Sequence, residues 1–283
     1  DMDPRNGKGI PNNSAIPGCI RKMSHCERLF FMSPASTVMI AARINGTIDT
    51  VRFRQALDTA ARKHPLLRAK VRFDKQHYAW FSQECVLPVP LKIIPRESEH
   101  QWLEELKEEA RVPFDICQGP LVRCVLLQSP EVSDVLILCN HSICDGMALA
   151  ILVRDLITLY ADENQDVSEL FPTDVLTIQK AGITIKGLIA RFFVGLANRK
   201  WRKNPHFFSA EDYTALYSSY WEERKPGLVL LEFNPEESDR LLAACREHGI
   251  TVGSAVSAAC LAAYTDIHGE FAKSQQVVMV PYD

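Results

Sequence analysis

Val135–Tyr160 reads VLILCNHSICDGMALAILVRDLITLY. The apolar run Val135–Cys139 predicts a strand, and Leu149, Leu152, Val153, Leu156 and Tyr160 recur at helical spacing. His141 therefore falls where a strand ends and a helix is about to begin, a junction that presents a side chain from a rigid base. An imidazole titrates near neutrality, so it can take a proton from a hydroxyl, amine or thiol and return it. Asp145 can brace the loop, and Gly146 permits a close turn or a positive φ. His-x-x-x-Asp-Gly is short enough to occur by chance. Its plain alternative is a satisfied junction histidine followed by a helix-capping aspartate.

Working upstream, Leu121–Leu127 reads as a strand that turns back through Ser129–Asp134 into Val135–Cys139, an antiparallel pair ending at the His141 loop. Val112–Arg123 (VPFDICQGPLVR) is the loop entering it. His100–Arg111 predicts an amphipathic helix with Trp102, Leu103, Leu106 and Ala110 inward, and Leu91–Ile94 a short strand. Leu67–Phe73 and His77–Phe81 are β-like runs around Asp74-Lys75. Asp49 or Thr50 caps a helix carrying Val51, Phe53, Leu57, Ala60 and Ala61 on one side, which stops at His64-Pro65 because proline disfavours helix in the preceding residue. Ser36–Ile44 is a strand closed by Asn45-Gly46. Met23–Phe31 reads as a short helix or strand, and Asp1–Cys19 as a mobile lead-in.

Downstream, Ala161–Asp174 is acidic and loop-like. Ile183–Lys203 combines an apolar face (Ile185, Leu188, Ile189, Phe192, Phe193, Leu196) with six basic residues and no acid. It reads either as a helix for a membrane surface or lipophilic ligand, or as a crossover helix packed on the core with a solvated basic face. Leu228–Phe233 predicts a strand. Asn234, Pro235 and Glu237 start a helix that Gly249 ends, Thr251 starts another rich in small residues, and Gln275–Pro281 predicts a final strand.

The 283 residues are 47% hydrophobic and 24% charged, ample for a large core. The net charge of −3 argues against a general nucleic-acid binder. No run approaches the ~20 apolar residues of a membrane span, and the polar N-terminus lacks a signal-peptide core, which points to the cytoplasm. Nine cysteines are scattered without a Cys-x-x-Cys pair and read as reduced thiols, with no metal site implied.

Several segments in order carry a resemblance: His64-Pro65-Leu66-Leu67-Arg68, Pro113-Phe114-Asp115, Gly119-Pro120-Leu121-x-Arg123, His141-x-x-x-Asp145-Gly146, and Ile250–Ala255. The series resembles the condensation-domain and alcohol acetyltransferase superfamily. The resemblance implies an α/β (α+β) chloramphenicol acetyltransferase-like fold of two lobes with a channel between them. The chain would comprise a flexible lead-in (1–22), an N-terminal lobe (23–170), a crossover (171–226) and the start of an incomplete C-terminal lobe (227–283).

It also implies roles. His141 would be the general base. Asp145 would support the loop through an arginine ion pair, with Arg123 and Arg28 as candidate partners. Gly146 would leave space in the channel. Asn140 stands where many members carry a first histidine, and it would orient the loop. The co-substrate would be an acyl-CoA or an acyl-carrier-protein phosphopantetheine thioester, with no permanently bound cofactor. The acceptor would be an alcohol or amine, and the rest of the second lobe would lie in the same or another polypeptide. Because the resemblance starts close to the N-terminus, the leading expectation is a free-standing acyltransferase. The alternatives are a condensation domain joining carrier-bound substrates as amides, an inert scaffold of the same fold, and a cysteine enzyme with Cys144 as nucleophile.

Overall fold

The computed structural model describes residues 18–162, 207–224 and 227–270, together with 195, 199, 203 and 205. The final strand expected at Gln275–Pro281 lies outside the described residues. So does the basic segment Ile183–Lys203, apart from 195, 199 and 203. The chain divides into two compact units between Leu228 and Val229.

In the first unit, four strands form a mixed sheet: β2 (Thr37–Asn45), β7 (Val132–Asn140), β6 (Val122–Gln128) and β5 (Leu91–Pro95), in that spatial order. β2–β7 and β6–β7 pair antiparallel, and β5–β6 parallel. The long apolar runs of β6 and β7 follow from burial on both faces. Val122, Cys124, Leu126, Val135, Ile137 and Cys139 pack on one side against α2 (Thr50–Lys63) and α4 (Gly146–Ala161). Val125, Leu127, Leu136 and Leu138 pack on the other. There they meet a smaller antiparallel sheet of β1 (Cys19–Lys22), β4 (Ala79–Ser82) and β3 (Lys70–Phe73), in that order, together with α1 (His25–Phe31), α3 (Gln101–Ala110) and α5 (Ala210–Glu223).

Several expectations change. Residues 19–22, expected within the lead-in, form β1, tied to β4 and held by Met23 N–H donating to Ala79 O at 2.9 Å. Met23–Phe31 resolves to a helix because Ser24 and Glu27 make a reciprocal capping box. Leu67 falls in a 3-10 turn, Pro65–Arg68, before β3. On α2, Val51 is 68% exposed and Ala56 takes the inward place. On α3, Glu105 is buried because Lys92 pairs with its carboxylate. Residues 207–224, expected within a crossover, contain α5, whose Tyr213 and Tyr217 sit in the core.

The loop before β6 depends on one glycine. Gly119 has φ +64°, and a Cβ there would lie 2.7 Å from the Ala69 carbonyl oxygen. The loop therefore approaches β3 as closely as main chain allows, and Val71 N–H donates to Ile116 O at 2.7 Å.

α2 and α4 are locked by a buried carboxylate. Asp155 Oδ2 on α4 accepts from Lys63 Nζ and His64 Nε2, both at 3.0 Å, and Oδ1 accepts from Arg154 at 3.1 Å. Burial pushes the Asp155 carboxyl up, but the hydrogen bonds from Lys63, His64 and Arg154 outweigh it and hold it below the usual range. A depressed folded value makes this contribution full above the unfolded value near ~3.9 and lost as pH falls through the folded one. Thermal unfolding followed against pH should therefore show a steeper acid limb in the wild type than in Asp155→Asn. An equal acid limb in both would refute the linkage.

In the second unit, α6 (Pro235–Glu247) starts at the Asn234 cap with Glu237 closing the box, as expected. Gly249, at φ +64°, follows its C-cap His248, and Ile250 N–H donates back to Cys245 O at 3.0 Å. Thr251 caps α7 (Val252–His268). Leu228–Phe233, expected as a strand, joins no ladder among the described residues, and Val229, Leu231 and Phe233 are more than half exposed. Its pattern suits a strand, but a strand needs a partner to satisfy its backbone. No single described helix is long and apolar enough to cross a membrane.

Candidate active site

The sheet delivers His141 to its end. Asn140 is the last residue of β7, opposite Thr37 of β2, and its backbone N–H donates to Leu121 O at 2.9 Å. One residue on, His141 N–H donates to Ser36 O at 2.9 Å, so the ladder reaches the histidine itself. Ile143 N–H returns to Asn140 O at 3.0 Å and closes the turn.

The ring is oriented on two sides. His141 Nδ1 lies 2.8 Å from the Cys144 carbonyl oxygen. A carbonyl can only accept, so Nδ1 carries the proton in the neutral ring and Nε2 keeps its lone pair. Nε2 has no hydrogen-bond partner among the described residues. Phe30 of α1 stacks on the imidazole with centroids 4.0 Å apart and planes at 22°. The half-buried ring thus keeps one nitrogen with a free lone pair and has its tilt fixed by an aromatic face.

Asp145 is exposed and acts as the N-cap of α4, with Oδ1 accepting from Ala148 N–H at 2.8 Å. Among the described residues its expected ion pair does not form. Arg123 is committed elsewhere: Nε lies 2.7 Å from Glu109 Oε2, and the guanidinium also donates to the carbonyls of Glu109 and Val112. It stands over the Phe114 ring at 4.3 Å, so it ties the end of α3 and the following loop to β6. Burial lowers its pKa, and Glu109 opposes that shift. Arg28 makes no ion pair with Asp145 either. The reason is exposure: a capping aspartate on the surface needs no counter-charge. Gly146 is the first helical residue, without positive φ, and a Cβ there would meet nothing within 4 Å. The space beside it is open, but no turn requires glycine.

Asn140 is 2% exposed and works from behind the loop, where its Oδ1 accepts from Ser142 N–H at 3.0 Å. Burial, with Tyr217 beside it, pushes the hydroxyl of Tyr213 on α5 up to about 12. Cys144 supplies its carbonyl to His141, and burial raises the pKa of the neighbouring Cys139 thiol strongly. Among the described residues the Cys144 contact with the imidazole is made by its backbone and no thiol–imidazole hydrogen bond forms, which leaves a Cys144–His141 dyad without support. Among the described residues, no three His, Cys, Asp or Glu side chains converge as a metal site would require.

Sequence reasoning missed Phe30 and Tyr213. The second was within reach, since Ser209 and Asp212 form a capping box and Tyr213, Tyr217 and Trp221 recur every fourth residue behind it. Phe30 carried no such mark. Its ring meets His141 only after the chain has folded.

The family model for the condensation domain matches residues 21–175. The chain is 26% identical over 179 residues to nonribosomal peptide synthetase 5 of Gibberella zeae, covering 58% of this chain and 2% of that protein. It is 30% identical over 145 residues to the phosphinothricin tripeptide synthetase PhsC of Streptomyces viridochromogenes, covering 47% and 13%. It therefore spans only a small part of these relatives. Among solved structures, SgcC5 of Streptomyces globisporus superposes with a TM-score of 0.52 at 18% identity, covering 88% of this chain and 60% of that one. Polyketide synthase associated protein 5 of Mycobacterium tuberculosis gives the same score and identity, covering 88% and 58%. At that identity the likeness is one of fold, and it agrees with the mixed α/β architecture described above. With its matched segment running through both sheets to the His141 loop and α4, the chain belongs to the condensation-domain family.

Proposed function

We propose that this chain is part of a condensation domain that joins two carrier-bound substrates through an amide, with His141 as general base. The observation that carries the reading is the Nδ1 contact with the Cys144 carbonyl, which leaves Nε2 as the nitrogen with a free lone pair. In the step, Nε2 takes a proton from the acceptor amine as its nitrogen bonds to the thioester carbonyl carbon. The C–S bond then breaks, and the imidazolium returns the proton to the departing phosphopantetheine thiolate. The partners are two phosphopantetheinylated carrier proteins and the remainder of the domain.

This reading replaces the free-standing acyltransferase favoured from sequence. The curated relatives are peptide synthetases of which the chain covers 2% to 13%, and that favours the carrier-dependent alternative. The test is a competition assay with the full-length protein. Acyl-carrier and acyl-CoA donors are offered together with an aminoacyl-carrier or a free alcohol, and products are read by mass spectrometry. The expected product is the amide on the acceptor carrier. Equal or faster turnover of acyl-CoA onto the alcohol would overturn the proposal in favour of the free-standing enzyme.

A further inference from the structure

We infer that Phe30 is a positioning residue for His141, holding the tilt of the imidazole from α1, and this rests on His141 being the base. Two contacts divide the work. The second side-chain torsion of histidine has broad, roughly two-fold wells, so torsional preference alone fixes neither the flip nor the tilt of the ring. The hydrogen bond from Nδ1 to the Cys144 carbonyl oxygen, at 2.8 Å, selects the flip. It holds one edge of the ring and leaves the plane free to rock, carrying Nε2 with it. Phe30 lies against the face of that plane, with centroids 4.0 Å apart and planes at 22°, and takes up the remaining freedom. The stack survives the chemistry too, because an imidazolium formed at Nε2 is still attracted to an aromatic face.

Packing does not account for Phe30. It joins neither cluster of buried side chains and stays 37% exposed, although it is a large apolar residue. Its helix is seated without it. The next residue, Phe31, is 1% exposed, stacks on Tyr213 with centroids 5.8 Å apart and planes at 6°, and meets Phe208 edge-on at 6.3 Å. At the start of α1 the Ser24–Glu27 capping box fixes the first turn. Both carboxylate oxygens of Glu27 accept from Arg21 of β1, at 2.6 and 2.9 Å. A helix held at both points carries Phe30 to the imidazole on a rigid base. Leu29, one residue earlier, is 71% exposed and offers an internal control.

The test is the amide-forming assay with the full-length protein, the carriers varied to separate kcat from KM. Phe30→Leu should lower kcat by about twofold to tenfold, the factor that corresponds to the extra worth of an aromatic pair, and leave KM for both carriers unchanged. Its melting temperature should stay near wild type. Phe30→Met, which fills the space with a flexible chain, should slow the enzyme likewise and serves if Phe30→Leu folds poorly. Phe30→Tyr, which restores an aromatic face, should recover most of the rate, and Leu29→Ala should match the wild type in both constants. Wild-type kcat in folded Phe30→Leu or Phe30→Met, a loss that falls on KM instead, or a Phe30→Tyr no faster than Phe30→Leu would overturn the inference. Turnover that persists in His141→Ala would overturn the base reading itself. A dead His141→Ala beside an unimpaired Phe30→Leu would remove the positioning role alone.

Discussion

His141→Ala should lower amide formation by about 10²–10⁴-fold, the range that removal of a positioned acid–base group costs. The loss should fall on kcat, because the imidazole acts on the proton in flight and contributes little to holding either carrier. Stability should change little. The ring is only half-buried, and what it loses is one face on Phe30 and one bond to Cys144 O. A melting temperature close to wild type beside a collapsed turnover is the expected pair of results. Near wild-type turnover in a folded His141→Ala would remove the histidine from the chemistry altogether.

Arg123→Ala should be the most destabilising change among the residues singled out from sequence. Its guanidinium is 13% exposed and its partner Glu109 12%, so truncation leaves that largely buried carboxylate to Lys92 Nζ alone, 3.3 Å away, and takes a donor from two main-chain carbonyls. Breaking a buried pair from one side costs roughly 3–5 kcal/mol when the other charge is left unpaired, and the remaining Lys92 contact holds the loss to the lower end. A double-mutant cycle should find coupling above ~1 kcal/mol between Arg123 and Glu109, and none between Arg123 and Asp145. Asp145→Asn should stay within a few tenths of a kcal/mol of wild type, since asparagine caps helices about as well, whereas Asp145→Ala should cost about 1 kcal/mol. Denaturant unfolding of this set separates a cap from an ion pair. Measurable coupling between Arg123 and Asp145 would contradict the geometry described here.

These outcomes mark where the sequence could be read and where it could not. The central sheet was legible because β6 and β7 are buried on both faces and so appear as unbroken apolar runs. The hairpin between them is local, which made their pairing legible too. Helix boundaries followed from caps that act within a few residues, as at Asp49 and Asn234. Leu228–Phe233 has a strand's composition, but pairing is a property of two segments and cannot be read from one. Arg123 illustrates the same limit for charge. Its carboxylate comes from α3, whose helical face in the sequence gave no reason to prefer Glu109 to Asp145. At Gly146 the error was one of inference, since a glycine at a helix start needs no unusual dihedral. His141 itself was legible because the strand-to-helix transition is written in the periodicity around it. The aromatic shelf beneath it was not.

The hold on His141 Nδ1 comes from a main-chain oxygen. Every amino acid carries that oxygen, so what the proton needs at position 144 is a backbone path, not a side chain. The identity of residue 144 is then free to drift so long as the turn keeps its shape, and the cysteine found there is incidental to orienting the base. A substitution at 144 that keeps the turn should therefore leave the tautomer unchanged, although the position makes the contact that selects it. Here, side-chain identity and mechanistic importance are separate quantities.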